Sequence, residues 1–404
     1  PPLPVPWPAT ARAALVTLLG SGPALVPTWE SCDRYGLTTG WLPEWTRVRS
    51  LPQHNPVHRY TLDRHLVQAA AEAAAVTREV DRPDLLLVGA FLHDIGKGLP
   101  GDDHCVAGGP VARGIATRIG LPPADVAVAE KLVRLHLLLP EVATRRDLAD
   151  PVTVRGVADA VGDVPTLDLL HALAKADAAA TGPGAWSEWK GRLVADLVRR
   201  VHATLQDGAP PAPAAPDPTL VAGPLPVVHL DEDRVAVAAT DRRGLLAAVA
   251  GCLALHRLDV LSADASTVDG RALVEFRVQP RYGTPPDRIA LGADLRRAVL
   301  GDVSVTQRLR GRGGTGRHGG AAPRVVWHRE AATDAVVLEL RAADAPGLLY
   351  RVAAALDRAG ANVRAARIST LGGDVVDAFY LVGAWVDDAD RGAIETAVLA
   401  AAQA

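Results

Sequence analysis

A chain of 404 residues is long enough for two to four domains that each bury their own core. Because 49% of the residues are apolar and the net charge is only −3, a folded protein is expected and neither nucleic acid nor a membrane is expected as a partner. The three cysteines are scattered without a CxxC spacing, which argues against a disulfide framework or a thiolate zinc site and indicates a reducing compartment.

No window of the sequence reaches the roughly 18 uninterrupted apolar residues that a membrane span needs, and the first residues lack the basic-then-apolar layout of a signal peptide, so a cytoplasmic location is predicted. The sequence has no methionine, even at position 1. Together with a composition rich in Ala, Arg, Val and Pro, this predicts an incomplete chain from a GC-rich gene. Residues 1–50 are predicted to be the helical remnant of a preceding domain, whose aromatic side chains pack onto the domain that follows.

Residues 51–205 are predicted to form a helical domain that contains a metal site. The apolar run LLLVGAFLHDIGKG, residues 85–98, ends in adjacent His93 and Asp94. Burying this pair costs free energy unless something binds both side chains, and a metal ion is the commonest such partner. A single histidine in such a run is more often a core residue, but the doublet and the histidines around it favour ligands.

Further candidate ligands come from other predicted helices and loops. His58 and His65 are seven residues apart and share one helical face, and His65 is favoured because it lies inside the helix. His104 follows in a loop, His136 ends a helix that begins near Ala124, and Asp177 lies in an alanine-rich helix. A helical bundle can bring such side chains to one point.

This set is too large for one tetrahedral ion, so two divalent ions bridged by Asp94 are predicted. Oxygen and nitrogen ligands suit Mg, Mn, Fe or Zn, and Mg or Mn is the expected metal. Lys97, one turn past Asp94, places a cation that suits an anionic substrate such as a phosphate ester; the alternative is an ordinary solvated lysine.

The constellation resembles the HD superfamily of metal-dependent phosphohydrolases. The resemblance matches His65 to the first histidine, His93 and Asp94 to the defining doublet, and Asp177 to the last aspartate, which implies that these four hold the principal metal. His104 and His136 match the extra histidines of members with a second metal. His93, Asp94, Lys97, His104 and His136 are therefore the expected catalytic residues, and metal-assisted hydrolysis of a phosphate ester is the implied reaction.

A proline- and alanine-rich linker is predicted at residues 206–230, and two copies of one small domain follow it. Residues 233–282 match residues 336–385 at a constant offset of 103, for example in the turns that begin at Asp241 and Asp344. The predicted boundaries are 231–310 and 325–404, with a glycine-rich linker at 311–324. Each copy predicts a βαββαβ order, so the fold class is a multidomain chain, with an all-α bundle followed by two ferredoxin-like α+β domains.

The Asp-x-x-Gly-Leu turns resemble those of the ACT domain, a small-molecule sensor that commonly binds amino acids. The candidate ligand-binding residues are Asp241, Gly244, Leu245 and Asp259 in the first copy, and Asp344, Gly347, Leu348 and Asn362 in the second. The glycine permits close backbone approach, and the following helix start can receive a carboxylate. The alternative is that both aspartates only cap helices. The second copy is the better candidate binder, because Asp259 replaces the asparagine in the first.

The combination of an HD domain and two ACT domains, with segments such as RRDLADP, resembles the C-terminal part of the bacterial bifunctional uridylyltransferase/uridylyl-removing enzymes. That resemblance implies removal of UMP, or alternatively AMP, from a PII-type signalling protein, with glutamine as the effector. Gly20-Ser21 lacks the paired carboxylates that nucleotidyl transfer needs, so no transferase activity is expected of this sequence. The alternatives are an HD hydrolase of free nucleotides such as (p)ppGpp, and an amino-acid sensor without catalysis.

Overall fold

The computed structural model describes residues 3–53, 58–101, 103–182, 185–211, 217–302, 308, 322–328, 332–371, 373–382 and 388–403. They form two compact units, one of residues 1–143 and 154–211 and one of residues 144–153 and 212–404. Among the described residues no single helix is both long and apolar enough to cross a membrane. The segments Ala9–Leu19 and Gly22–Arg34 meet both criteria only as a pair bent by 106°.

The described residues of the first unit form no strands, only helices. They are α1 (Ala9–Leu19), α2 (Leu25–Arg34), α3 (Leu37–Trp41), α4 (Trp45–Val48), α5 (Leu62–Ala73), α6 (Pro83–Leu92), α7 (His104–Arg118), α8 (Pro123–Leu135), α9 (Leu138–Arg145), α10 (Pro151–Val161), α11 (Val164–Thr181) and α12 (Glu188–Asp207). The last two residues of α9 and the first three of α10 belong to the second unit. Helix α6 is apolar on every side and buried from Leu85 to Leu92, which makes it the centre of the bundle.

Aromatic side chains near the start of the chain pack against this central helix. The Trp29 and Trp45 rings lie 4.8 and 5.0 Å from the Phe91 ring on α6, and Trp45 stacks on it nearly in parallel. Such contacts add to the free energy of burying three large rings. Residues 1–50 are therefore an integral part of the first unit and complete its core.

Helix α7 begins earlier than the sequence predicted. His104 was expected in a loop, but it is the first residue of the helix. The side chain of Asp103 caps it by accepting hydrogen bonds from the backbone N–H groups of Cys105 and Val106. The glycine pair Gly108-Gly109, which suggested a loop, instead lets the middle of α7 approach its neighbours closely.

The second unit contains an antiparallel sheet and its helices. The strands are β1 (Val227–Leu230), β2 (Arg234–Thr240), β3 (Leu258–Val268), β4 (Arg271–Pro280), β5 (Arg324–His328), β6 (Val336–Ala343), β7 (Asn362–Leu371) and β8 (Asp374–Val382). The helices are α13 (Pro218–Val221), α14 (Leu245–Leu255), α15 (Arg288–Val299), α16 (Leu348–Arg358) and α17 (Asp388–Gln403). The predicted class, a helical bundle followed by two α+β repeats, is confirmed.

The two repeats share one continuous sheet with the strand order β1-β2-β4-β3-β7-β8-β6-β5. They join where β3 pairs with β7, with Asp264 opposite Arg367. Helices of both repeats cover one face, and their apolar side chains merge into a single core. The two repeats thus form one sheet with a common hydrophobic core rather than two independent domains.

The order of elements differs from the predicted βαββαβ in two respects. Within the described residues each repeat runs ββαββα: an additional strand precedes the first predicted strand and pairs with it, and the predicted strand after the second helix is not found. Three residues between β1 and β2 are enough to turn the chain back antiparallel. Strand β1 and helix α13 therefore lie inside the predicted 206–230 linker, whereas most of the predicted 311–324 linker lies outside the described residues.

Residues 144–153, here called the 144–153 segment, belong to the second unit although the helices on both sides of them belong mainly to the first. The segment lies on the sheet face opposite the helices. The backbone N–H of Asp147 donates to the Tyr380 hydroxyl at 2.5 Å, and Arg367 donates to the Asp147 carboxylate at 3.0 Å. The Asp150 carboxylate accepts from the hydroxyl and the N–H of Thr333 at 2.6 and 2.8 Å.

Candidate metal centre and paired pockets

The His93-Asp94 doublet lies where the buried helix α6 ends. His93 caps the helix, and the chain then turns so that the N–H of Lys97 donates to the carbonyl of Asp94 at 2.9 Å. Both side chains of the doublet stay inside the bundle, with exposures of 0% and 3%. A histidine and a carboxylate are thus held without solvent at the end of an apolar helix, where they need binding partners.

The structure brings all six sequence-predicted metal ligands together. They come from five places in the bundle: His65 from α5, His93 and Asp94 from the end of α6, His104 from the start of α7, His136 from the end of α8, and Asp177 from α11. His58, the other candidate, precedes α5 and lies with its ring 5.8 Å from that of His65.

Four of the six side chains form a first group around one point. The His65 Nε2 atom lies 3.1 Å from both His93 Nε2 and Asp177 Oδ1, and His93 Nε2 lies 3.4 Å from Asp177 Oδ1. Asp94 Oδ2 lies 3.6 and 3.8 Å from the two imidazole nitrogens. Ligand atoms about 2.1 Å from one ion are about 3.0 Å apart at right angles and about 3.4 Å at tetrahedral angles. The spacing therefore fits a divalent metal ion.

The other oxygen of Asp94 faces a second group. Asp94 Oδ1 lies 3.1 Å from His104 Nε2 and 3.4 Å from His136 Nε2. These nitrogens do not point along good hydrogen bonds to Oδ1, which is buried and has no such bond from any described residue. A buried carboxylate oxygen without a directed donor fits a second cation better than it fits a closed polar network. Asp94 is thus placed to bridge two ions.

The orientation of two imidazoles supports metal binding. Nδ1 of His93 lies 2.8 Å from the carbonyl of Ala90, and Nδ1 of His136 lies 2.8 Å from the carbonyl of Val133. A carbonyl can only accept, so each Nδ1 carries a proton and the Nε2 atom of each ring faces the site, where its lone pair can bind a metal ion. Backbone carbonyls commonly fix metal-binding histidines in this way.

The electrostatics of the site favour cations. Burial alone would raise the pKa of Asp94, but His93, His104, His136 and Lys97 outweigh it and hold that pKa well below its ordinary value. The Asp94 carboxylate, whose Oδ1 atom lies 3.1 Å from Nε2 of His104, raises the pKa of His104 to about 9. Two ionised carboxylates deep in the bundle attract positive charge, either protons on the imidazoles or a metal ion that displaces them.

Lys97 is committed to the site rather than solvated. Its Nζ atom lies 2.5 Å from Asp94 Oδ2 and donates to Gln53 Oε1 at 2.8 Å. Sequence reasoning missed Gln53, because it lies 44 residues before Lys97 in an irregular segment that no pattern links to the doublet. Lys97 thus neutralises part of the charge on Asp94 and is fixed in place by Gln53.

Cys105 is a second residue that the sequence did not single out. Its Sγ atom lies 3.6 Å from His104 Nε2 and 3.8 Å from His136 Nδ1. Burial tends to raise the pKa of this thiol, but the two histidines lower it overall. Nδ1 of His136 donates to the carbonyl of Val133, so the thiol faces the protonated side of that ring. The ligand atoms of His104, Cys105 and His136 nevertheless lie within 4.8 Å of one another. Adjacency to His104 was the only signal in the sequence.

Two pockets in the second unit contain the predicted small-molecule residues. The pocket named here the Asp344 pocket is lined by the second repeat at Asp344, Gly347, Leu348, Thr370 and Asp377, and by the first repeat at Asp259 and Arg281. The Asp241 pocket is lined by the first repeat at Asp241, Gly244, Leu245 and Val274, and by the second repeat at Asn362 and Arg364. Each pocket therefore combines the turn of one repeat with a strand start of the other.

This arrangement corrects the expected grouping of the residues. Asn362 was grouped with the turn of its own repeat, but it lies in the pocket of Asp241, and Asp259 lies in the pocket of Asp344. The pairing of β3 with β7 causes the exchange, since it places the beginning of each repeat's central strand beside the turn of the other repeat. Gly244 and Gly347 both have positive φ angles, 74° and 70°, which explains why glycine precedes each helix.

Comparisons with known proteins agree with this description. Residues 62–181 match the HD domain family. The chain is 47% identical to the bifunctional uridylyltransferase/uridylyl-removing enzyme of Streptomyces coelicolor, over 94% of this chain and 53% of that protein. It is 42% identical to the enzyme of the same name from Mycobacterium tuberculosis, over 94% of this chain and 50% of that protein. The relative from Ruegeria pomeroyi is 28% identical, over 86% of this chain and 47% of that protein.

The chain thus spans about half the length of the curated relatives it matches. The HD match includes all six of the clustered ligands and the bundle that positions them. Residues 62–181 are therefore an HD domain, and the chain is homologous over nearly all of its length to bacterial bifunctional uridylyltransferase/uridylyl-removing enzymes.

Proposed function

We propose that the chain is a metal-dependent phosphodiester hydrolase that removes UMP from a uridylylated tyrosine of a PII-type signalling protein. The observation that carries the proposal is the pair of ligand groups on the two oxygens of Asp94. Relatives that cover this region bear a name that includes uridylyl removal. The proposal concerns hydrolysis only, since Gly20-Ser21 has no paired-carboxylate partner for nucleotidyl transfer.

The principal metal would be held by His65, His93, Asp94 and Asp177, and a second by His104 and His136 with the other oxygen of Asp94. Such ions supply charge stabilisation at the phosphoryl oxygens and a water of lowered pKa, and Mg or Mn suits the ligand set. The choice between these metals is part of the proposal.

The side of the site from which a substrate enters follows from exposure. The side chains of His104 and Asp177 are 28% and 21% exposed, whereas those of His65, His93 and His136 are at most 2% exposed. A phosphodiester would therefore approach between His104 and Asp177. In this proposal His104 assists either the second ion or the leaving tyrosine oxygen. Lys97, 2.5 Å from Asp94 Oδ2, would keep Asp94 ionised and in position.

Glutamine is proposed as the effector, bound in the paired pockets of the second unit. Each pocket has a helix start that can receive a carboxylate and an acidic or amide side chain that can receive an ammonium group. The 144–153 segment offers a covalent route for the effect, because α9 begins two residues after His136 and ends within that segment. A cytoplasmic location is part of the same proposal.

The test is release of UMP from uridylylated PII protein by the chain loaded with Mg or Mn. We expect release by the wild type and by Asp168→Asn, a control on α11 that lies outside the ligand groups, and no release by the double variant His93→Ala/Asp94→Ala. Unchanged release by the double variant would reject the proposed site.

Parallel assays separate the rival functions. Hydrolysis of (p)ppGpp with no action on uridylylated PII would indicate a free-nucleotide hydrolase, and adenylylated PII as the preferred substrate would replace UMP by AMP. Elemental analysis showing no bound metal in a folded chain, together with glutamine binding, would indicate a sensor without catalysis.

A further inference from the structure

The Asp344 and Asp241 pockets are related by the internal repeat but differ in charge at the sheet. At the offset of 103 residues, Asp377 in the Asp344 pocket corresponds to Val274 in the Asp241 pocket. The Asp241 pocket also contains arginines, including Arg243 and Arg364. The two pockets therefore present different chemistry to a ligand in spite of their common origin.

Asp377 occupies a position where an apolar side chain would be expected. It lies on β8 between Val375 and Phe379, which belong to the core beneath the helices, and it is 1% exposed. The backbone N–H of Ser369 donates to its carboxyl group. Its Oδ1 atom has no hydrogen-bond partner among the described residues. An unsatisfied buried oxygen costs free energy that a bound donor would recover.

The surroundings of Asp377 select a cation. Asp259 is paired with Arg281, whose Nε donates to it at 2.8 Å, so the guanidinium is already used. No described cation pairs with Asp344 or Asp377. Burial raises the pKa of Asp377 to about 8, with Asp344 nearby adding to the effect, and burial and Asp259 raise the pKa of Asp344. A positive group in the pocket would remove this repulsion.

The same pocket also has a place for an anion. Its wall includes Gly347, Leu348 and Leu349, at the start of the eleven-residue helix α16. The N–H groups of a first helical turn favour a carboxylate. A ligand that carries an ammonium and a carboxylate on adjacent carbons therefore matches both ends of the pocket, whereas a bare metal ion would match only the acidic end.

We propose that Asp377 recognises the ammonium group of an α-amino acid in the Asp344 pocket, and that this pocket is the higher-affinity effector site of the two. The inference deepens the proposed glutamine regulation and rests on it. Because the ammonium group pairs with the ionised carboxylate, binding near pH 6.5 releases the proton that Asp377 holds. The Asp241 pocket, with valine at the corresponding position, has no such group.

The test is calorimetric titration of L-glutamine into the full chain and its variants. We expect Asp377→Val to weaken the tighter site about 10- to 100-fold, since a hydrogen bond to a charged group is lost. Asp377→Asn should weaken it less, and the control Asp374→Asn, exposed on the same strand, should bind as the wild type does. The des-amino analogue of glutamine should bind the wild type and Asp377→Val equally weakly.

A second readout separates recognition from a structural role. Titrations at pH 6.5 in buffers of different ionisation enthalpy should show about one proton released by the wild type and none by Asp377→Asn. Wild-type affinity in a folded Asp377→Val variant, or equal proton release in Asp377→Asn, would overturn the role of Asp377 alone. Absence of glutamine binding by the wild type would overturn the proposed glutamine regulation, and this inference with it.

Discussion

Gly96 is a position where one methyl group should disturb both the fold and the metal centre. A Cβ atom built on Gly96 would lie 2.0 Å from the carbonyl oxygen of His104, 2.5 Å from the Gly108 nitrogen and 2.7 Å from the Gly108 Cα atom. All three are backbone atoms, so no rotamer change relieves the contact. Helix α7 would have to move away from the turn that follows Asp94 by more than 1 Å to reach ordinary contact distances of about 3.4 Å.

The size of the effect follows from the stiffness of these contacts. Overpacking by one methyl group typically costs about 1–3 kcal/mol when side chains can adjust. Here the backbone of α7 must shift, so we expect Gly96→Ala to lower the free energy of unfolding by about 3 kcal/mol or more. Because the clash is with the residue that supplies an imidazole to Asp94, the second ligand group should open and lose metal first.

The assay is thermal unfolding together with elemental analysis of bound metal. The matched control is Gly114→Ala on α7, where a Cβ atom meets nothing within 4 Å and the helical backbone favours alanine by about 0.5–1 kcal/mol. We expect the control to be as stable as the wild type or slightly more so, with full metal content. Wild-type stability and metal content in Gly96→Ala would refute the reasoning, because the predicted contact could then not exist.

Three further changes test other parts of the structure. Asp177→Asn should reduce metal bound per chain while leaving the helical circular dichroism intact, because one ligand oxygen of the first group loses its charge; unchanged metal content would count against that group. Burial raises the pKa of Asp377 to about 8, against 3.8 for an ordinary aspartate. The free energy of unfolding of the wild type should therefore fall relative to that of Asp377→Asn as pH rises from about 4 to 8, by up to about 1.4 kcal/mol per pH unit. Denaturant titrations test this, and parallel pH profiles of the two proteins would contradict it. Tyr380→Phe removes the hydrogen-bond acceptor for the Asp147 N–H. The ratio of UMP release with and without glutamine should therefore move toward 1, while release without glutamine stays within about twofold of the wild type. An unaltered ratio would exclude the 144–153 segment as the route by which glutamine acts on the metal centre.

The clustering of the candidate metal ligands could be predicted because buried histidine and aspartate side chains are costly unless a partner binds them. A histidine and an aspartate at the end of an apolar run have few explanations other than a shared cation, and three of the other candidates, His65, His136 and Asp177, lie on predicted helices. Gln53 and Cys105 were not predicted, because a glutamine in an irregular segment and a single cysteine beside a histidine do not by themselves indicate a metal site. Their positions depend on which loops and helix starts meet in three dimensions.

The boundaries and order of the elements were harder to predict than the fold class. The start of α7 was missed because a glycine pair is common in loops, whereas here the pair admits a close approach to Gly96 and to Arg134. The early strand β1 was missed because the proline-rich sequence before it dominated the composition. In both cases a tertiary contact outweighed a local preference, and only the fold contains that information.

The exchange of residues between the repeats changes how ligand selectivity should be assigned. Since β3 pairs with β7, a substitution in one repeat alters the pocket that carries the other repeat's turn. The first repeat therefore supplies Asp259, paired with Arg281, to the Asp344 pocket, while the second repeat supplies Asn362 and Arg364 to the Asp241 pocket. Two similar repeats can in this way form one pocket that selects an ammonium group and a second pocket with a different ligand preference. The selectivity of each pocket depends on residues from both repeats rather than on either copy alone.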